Sequence, residues 1–473
     1  MTTVPPAAET AEVTEIDTSA RWPLLLLLVS ALLWLVFSGL LTLVNFVQLQ
    51  SPGFLAGCSV LTYGRSSAMQ ETAFVYGWAA NAGLAVALWL LARLGGAPLR
   101  SLNWVVAGTL FWNFAITLGL IGIASGDMTS NAWLHLPRYV LPMLLVAYGT
   151  IAVPGVLAWT GRRKEMTFAA QWYAVAALFL FPWIFSVAQM MLVFAPGRGV
   201  MQALVAGWFV QGAWTLWLAP LALAAAYYLV PKITGRVIPS YDFAALSFWV
   251  LLFVGAWTGG RHLIGGPVPA WVATIAVVSC ALLLFHYIVV AVNLRGAFSG
   301  GGSTVLKFVA FGLAAYVAGG FLDAFTAMRS VALHTQFTYF SVGQSQLALT
   351  GAFSMMVYAA IYFLAPRITG RAWPSGALVR AHFALAVLGT VILVLALLGA
   401  GCVQAKNLND AAVPFASIAA LVRPWLLAAT AAQALLLLGN LVLATHLLWL
   451  ACPKAAATPD LFRPAPTMEA SVS

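Results

Sequence analysis

Twelve apolar stretches of roughly 20 residues or more follow one another along the chain. They lie at about 22–47, 72–95, 102–125, 137–160, 167–195, 203–230, 243–264, 269–294, 304–327, 339–366, 376–400 and 425–450. Each is long enough to cross about 30 Å of hydrocarbon as an α-helix. Lipid gives a backbone no other partner, so a chain crosses it only as helices or as a closed barrel. The pattern predicts an all-α membrane protein of twelve transmembrane helices. Composition agrees: 63% of the 473 residues are hydrophobic and 7% charged, against about a quarter charged in soluble domains. No soluble domain fits between the segments. Residues 21–452 therefore read as a single membrane domain, flanked by disordered tails at 1–20 and 453–473.

The formal net charge of +10 is better read as topology than as a nucleic-acid surface. Fifteen of the 22 Lys and Arg residues fall in the N-terminal tail, the even-numbered loops and the C-terminal tail, including Arg162, Arg163 and Lys164. Lys and Arg accumulate on cytoplasmic loops, so both termini are expected in the cytoplasm, with membrane lipid as the surrounding partner and no nucleic acid. Residues 1–20 contain Glu9, Glu12, Glu15 and Asp17 and no basic residue, which does not fit the positive start of a cleaved signal peptide. Cys58 and Cys402 both fall in loops assigned to the outer side, where a disulfide is chemically permitted. Cys280 and Cys452 read as apolar or interfacial residues.

A helix-ending signature is written three times. Ala92-Arg93-Leu94-Gly95-Gly96, Pro231-Lys232-Ile233-Thr234-Gly235 and Pro366-Arg367-Ile368-Thr369-Gly370 close segments 2, 6 and 10. The basic residues are 139 and 135 positions apart, which predicts three four-helix units in a pseudo-threefold bundle. A cation followed by glycine is a sufficient helix terminator, so the turns themselves require no further function. Counting back 21 or 23 residues from each cation reaches Gln70, Gln211, Gln344 and Gln346. All four are expected near the outer ends of their helices. An amide in lipid is costly, so each should face the bundle interior.

Several stretches resemble the catalytic subunit I of haem-copper oxidases, most closely the cbb-type cytochrome c oxidases, with a relation to nitric oxide reductases. They run from Arg65 to Asn81, Gln171 to Ile184, Tyr227 to Tyr241, Trp257 to Trp271 and Gly343 to Pro366, so the resemblance spans essentially all twelve segments. It implies a subunit I-like fold, two haems and one copper in the family, and a respiratory complex with a membrane-anchored c-type cytochrome in a bacterial-type inner membrane. It places Gln70 and Gln346 at the low-spin haem ligand positions, Gln344 at the high-spin haem position, and Gln211, Arg261 and His262 at the copper positions. Five of the six histidines of that pattern are replaced. Gly255 stands where the cbb-type family has its redox-active tyrosine.

Imidazole is a good ligand to haem iron and copper, and axial ligand identity is a main control on such sites. An amide nitrogen is not comparably basic, and a guanidinium has no acceptor at all. The expectation is therefore a retained fold with haem and copper ligation lost, no cofactor, and a structural or regulatory role. The alternatives are an oxidase or nitric oxide reductase subunit with unconventional ligands, or a proton- or solute-conducting protein. In the cofactor-free reading, His262 is hydrogen-bonded to Gln211, and amide hydrogen bonds fill the cofactor space. Trp214, Trp217 and Tyr228 are candidates to line it. Asp323, with Arg329 six residues later, is expected in an ion pair or an interfacial role, with proton transfer as the alternative, and Glu71 is a candidate hydrogen-bond partner at the outer edge beside Gln70. His135, His286, His334, His382 and His446 have no mutual spacing that makes a ligand pair on one helix face.

Overall fold

In the computed structural model, which describes residues 6–163, 166–299 and 302–451, twelve helices are long and apolar enough to cross a membrane. They are α1 (Arg21–Gln50), α2 (Tyr63–Gly95), α3 (Leu102–Ser125), α4 (Val140–Thr160), α5 (Ala169–Phe194) and α6 (Val200–Thr234), then α7 (Tyr241–Leu263), α8 (Ala270–Asn293), α9 (Thr304–Thr326), α10 (Tyr339–Thr369), α11 (Gly376–Asn407) and α12 (Phe415–Ala451). No strand occurs among the described residues. The protein is an all-α, multi-pass membrane protein. Residues 453–473, expected as a tail, lie outside the described residues, as does Cys452.

The helices divide into a centre and a ring. In their most apolar windows, 94%, 94% and 78% of the residues of α2, α6 and α10 are buried, against 44–50% in the other nine helices. A helix buried all round is a core helix, whereas one buried on half its surface presents the other half to lipid. The threefold expectation is thus met in three dimensions. The second helix of each four-helix unit stands in the middle.

The three central helices match in detail. Each ends on a glycine in the left-handed region, Gly96 at φ 66°, Gly235 at φ 69° and Gly370 at φ 66°. Their N–H groups donate to the carbonyls of Ala92, Pro231 and Pro366, so a residue without Cβ ends the helix and satisfies a terminal carbonyl. Each also contains a π-helical stretch, Ala73–Ala79, Ala213–Leu218 and Leu347–Ser354. Such insertions are frequent at functional sites. Here each begins two or three residues after Gln70, Gln211 or Gln344.

Two boundaries differ from the sequence reading. The helix of segment 2 starts at Tyr63, nine residues before the hydropathy does. Ser66, Ser67, Gln70 and Glu71 make its first turns polar, because Ser67, Gln70 and Glu71 line a partly open cavity and Ser66 is buried against Asn45. Of the disordered N-terminal tail expected over residues 1–20, residues 1–5 lie outside the described residues, whereas Pro6–Ser19 is an α-helix, and Ile16, Asp17 and Ala20 are buried. Its acidic composition suggested solvent, but Asp17 has an ion-pair partner in Arg93 at 3.3 Å.

Candidate functional site

All six residues that the resemblance set apart, Gln70, Gln211, Arg261, His262, Gln344 and Gln346, line one cavity of about 680 Å³. The cavity runs between α1, α2, α6, α7, α9, α10 and α12, and its wall also includes Glu71, Trp133, Trp214 and Asp323. Residues separated by up to 276 positions in sequence are thus gathered in one space by the threefold arrangement of the central helices.

The strongest interaction in the wall is electrostatic. Arg261 Nη2 donates to Asp323 Oδ1 at 3.0 Å, and the two side chains are 12% and 19% exposed. Gln344 Nε2 donates to the same Asp323 oxygen at 3.3 Å and to Thr326 Oγ1 at 2.9 Å. One carboxylate therefore links α7, α9 and α10. Arg261 Nη1 is buried without a hydrogen-bond partner, so Asp323 is the main compensation for this charge. Asp323 does form an ion pair, but not with Arg329, which donates instead to Thr274 Oγ1 at 3.0 Å. Gln336 Nε2 fixes the Arg261 backbone by donating to its carbonyl at 2.6 Å.

The glutamines do not form the expected amide lattice. Gln70 Nε2 donates to Ser38 Oγ at 3.4 Å, and Gln346 Oε1 accepts from Thr350 Oγ1 at 2.9 Å. Among the described residues no hydrogen bond joins one of these glutamines to another, and none joins His262 to Gln211. His262 is exposed. The amides of Gln70, Gln344 and Gln346 turn to a neighbouring hydroxyl or carboxylate, not to another amide across the space.

Packing between α6 and α7 constrains the region around Gln211. A Cβ on Gly259 would lie 2.3 Å from the Gly207 carbonyl oxygen and 3.1 Å from Gln211 Cβ, so the two backbones approach as only glycines permit. A Cβ on Gly255 would lie 2.8 Å from Thr215 Cβ. The space a tyrosine would need there is filled by α6.

Glu71 serves a different partner from the one expected. Its carboxylate accepts from the Trp133 N–H at 3.2 Å and meets His135 Nε2 at 2.8 Å. Tyr76 donates to the Trp133 carbonyl at 2.5 Å. These bonds hold Trp133 at φ 59°, a costly backbone for a bulky residue, against the cavity. Burial disfavours a charged His135. The hydrogen bond and charge of Glu71, with the Thr129 carbonyl, outweigh that and hold its pKa above the ordinary value.

Other sequence candidates separate. Trp214 lines the cavity, whereas Trp217 stacks on Phe181 with ring centroids 4.0 Å apart and Tyr228 packs on Trp89 near the far end of α6. His286 lies between Ser247 and Tyr316, each 2.8 Å away, and His382 meets Tyr362 at 3.0 Å. His446 accepts from the Ser375 N–H at 3.2 Å, and His334 meets Asn409 at 3.1 Å. Among the described residues no three His, Cys, Asp or Glu side chains gather in a group that could hold a metal ion. Cys58 and Cys402 are both free thiols, so the bridge that the topology permitted is not formed, and Cys280 is buried.

At the six positions that the resemblance set apart, then, stand four amides, one guanidinium and one imidazole, of which only the imidazole is a strong donor to iron or copper. The scaffold that carries them is recognisable. The sequence profile of the family described as Cytochrome C and Quinol oxidase polypeptide I matches residues 23–435. A cytochrome c oxidase subunit 1 of Rhodobacter capsulatus is 25% identical over 459 residues, covering 90% of this chain and 85% of the relative. A cbb3-type cytochrome c oxidase subunit CcoN1 of Stutzerimonas stutzeri is 26% identical over 317 residues, covering 63% of this chain and 66% of the relative. The cryo-EM structure of a heme-copper terminal oxidase dimer superposes with a TM-score of 0.73 at 13% identity, over 97% of this chain and 88% of that one, which shows a shared fold. The chain belongs to the Cytochrome C and Quinol oxidase polypeptide I family, as a haem-copper oxidase subunit I homologue.

Proposed function

We propose that this subunit I homologue has lost haem and copper ligation and serves as a structural or regulatory membrane subunit of a respiratory complex. The observation that carries this reading is the Arg261–Asp323–Gln344 network at 3.0 and 3.3 Å, lying where the resemblance places the high-spin haem and copper. A guanidinium cannot donate a lone pair, and its fixed charge repels a copper ion. Gln344 spends its amide hydrogens on Asp323 and Thr326, and Gln70 and Gln346 lack the basic nitrogen of an axial imidazole. His262 alone cannot supply a three-donor copper site. The donor set therefore does not fit two haems and a copper.

In this reading the retained residues do mechanical work. The Asp323 carboxylate neutralises Arg261 and ties α7, α9 and α10 together where cofactors would otherwise bridge helices. The partner is a membrane-anchored c-type cytochrome in a bacterial-type inner membrane, and both termini face the cytoplasm, as the distribution of Lys and Arg supports. The test is purification of the tagged chain from its native membranes. A covalently haem-bearing subunit should co-purify, and the chain freed of it should reduce neither O2 nor NO. Turnover by the freed chain would overturn the proposal.

The cavity of about 680 Å³ with its polar wall favours one second reading, passage of protons or a small solute. Flux in liposomes that is unchanged by Gln211→Leu with Gln344→Leu would remove it.

A further inference from the structure

The ends of α2, α6 and α10 remote from the cavity carry a second convergence. Gln70 and Arg93 are 23 residues apart, about 34 Å along a helix at 1.5 Å per residue. At that end Trp89, Tyr228 and Phe363 each lie four residues before the signature cation of their helix. Their rings close a triangle with centroid separations of 5.3 Å, 5.8 Å and 6.2 Å. Each unit contributes one ring and one cation. The Arg367 guanidinium lies 3.5 Å from the Phe363 ring centroid.

The N-terminal helix Pro6–Ser19 brings a carboxylate to this assembly. Asp17 Oδ2 is 3.3 Å from Arg93 Nη1, its Oδ1 accepts from Trp89 Nε1 at 3.1 Å, and Arg93 also donates to the Val13 carbonyl at 3.3 Å. Asp17 is 5% exposed, with Ile16 and Ala20 buried beside it. Burial lifts the Asp17 pKa above its ordinary value, and the charges of Arg93, Arg367 and Lys232 and the Trp89 hydrogen bond pull against that rise. Arg93 contacts this carboxylate directly, whereas Arg367 and Lys232 act on it only through longer-range charge. The helix C-terminal dipoles at this end are negative and disfavour an anion, so side chains, not backbone, hold it.

We infer that the signature ends of α2, α6 and α10 form a carboxylate-binding site, and that its built-in ligand is the chain's own N-terminal helix, delivered by Asp17. The threefold repeat supplies like charges that repel one another, and the docked carboxylate offsets that repulsion. The helix, packed on α2 and α10, thereby latches these two units at the end opposite the cavity. An independent carboxylate of formate size takes the same place when Asp17 is shortened.

Limited proteolysis of the full-length chain, read by mass spectrometry of fragments released from residues 6–20, tests this. Asp17→Ala should be cut in that segment about tenfold faster than wild type or more, since removal of one partner leaves a buried charge unpaired. Sodium formate should restore protection where sodium chloride of equal ionic strength does not. Arg93→Gln, which keeps Asp17, should expose the segment without rescue by formate, and Glu15→Ala, at an exposed position, should behave as wild type. An Asp17→Ala chain as protected as wild type, or protection no better in formate than in chloride, would overturn the inference.

Discussion

Removing the Asp323 carboxylate should be among the most damaging single changes to this fold. The Arg261–Asp323 separation of 3.0 Å corresponds to about 5 kcal/mol of Coulomb attraction at an effective dielectric of 20. Desolvation of both groups cancels much of that, and the 12% and 19% exposures admit some screening. Deletion of one partner is different, because the surviving charge keeps its desolvation cost without its compensation, typically about 3–5 kcal/mol. Asp323→Asn leaves Arg261 facing an amide, with Nη1 already unsatisfied, so a loss of about 3 kcal/mol is expected, at the low end of that range. Arg261→Gln strands the carboxylate and should cost about 2 kcal/mol, since Gln344 and Thr326 remain close to it. The double variant removes both charges and should fall short of the sum by at least about 1 kcal/mol. Equilibrium unfolding in mixed SDS micelles measures the four corners of this cycle. Additivity within about 0.5 kcal/mol would refute the claim that the ion pair ties α7 to α9 beside the cavity.

Other outcomes follow from individual contacts. Gly255→Tyr drives a Cβ to within 2.8 Å of Thr215 Cβ and should destabilise by about 1–3 kcal/mol or more; Thr215→Ala in the same chain should recover part of the loss in the same unfolding assay. Gly235→Ala and Gly370→Ala place a Cβ in left-handed backbone and should each cost about 1–2 kcal/mol, although neither Cβ meets an atom within 4 Å. Because the folded-state pKa of His135 is raised, its contribution is complete below the unfolded value near about 6.5 and fades as pH rises through the folded value. The stability difference between wild type and His135→Gln should accordingly be larger at low pH than at high pH, and a difference independent of pH would contradict the Glu71–His135 pairing.

Hydropathy made the twelve helices legible because lipid imposes length and apolarity on every span. The signature at Arg93, Lys232 and Arg367 made the threefold plan legible, and with it the depth at which Gln70, Gln211, Gln344 and Gln346 meet. What escaped was polar or long-range. The first turns of α2 are polar because they face the cavity, so the hydropathy boundary fell late. Asp323 was matched with Arg329 six residues away, whereas its partner Arg261 is 62 residues upstream and becomes adjacent only when α7 and α9 pack. Val13, Ile16, Asp17 and Ala20 fall at i, i+3, i+4 and i+7, a helical face hidden among acids, and its meaning depends on a cation 76 residues later. Cys58 and Cys402 share a side of the predicted topology, but a shared side does not bring two thiols within bonding distance.

The decisive experiment is a cofactor count on the isolated chain. After removal of any c-type subunit, a pyridine haemochrome spectrum and copper analysis should find neither stoichiometric haem b nor copper. One or two haems per chain, or one copper, would show that glutamine, arginine and a single histidine do sustain ligation here, and would contradict the proposed function.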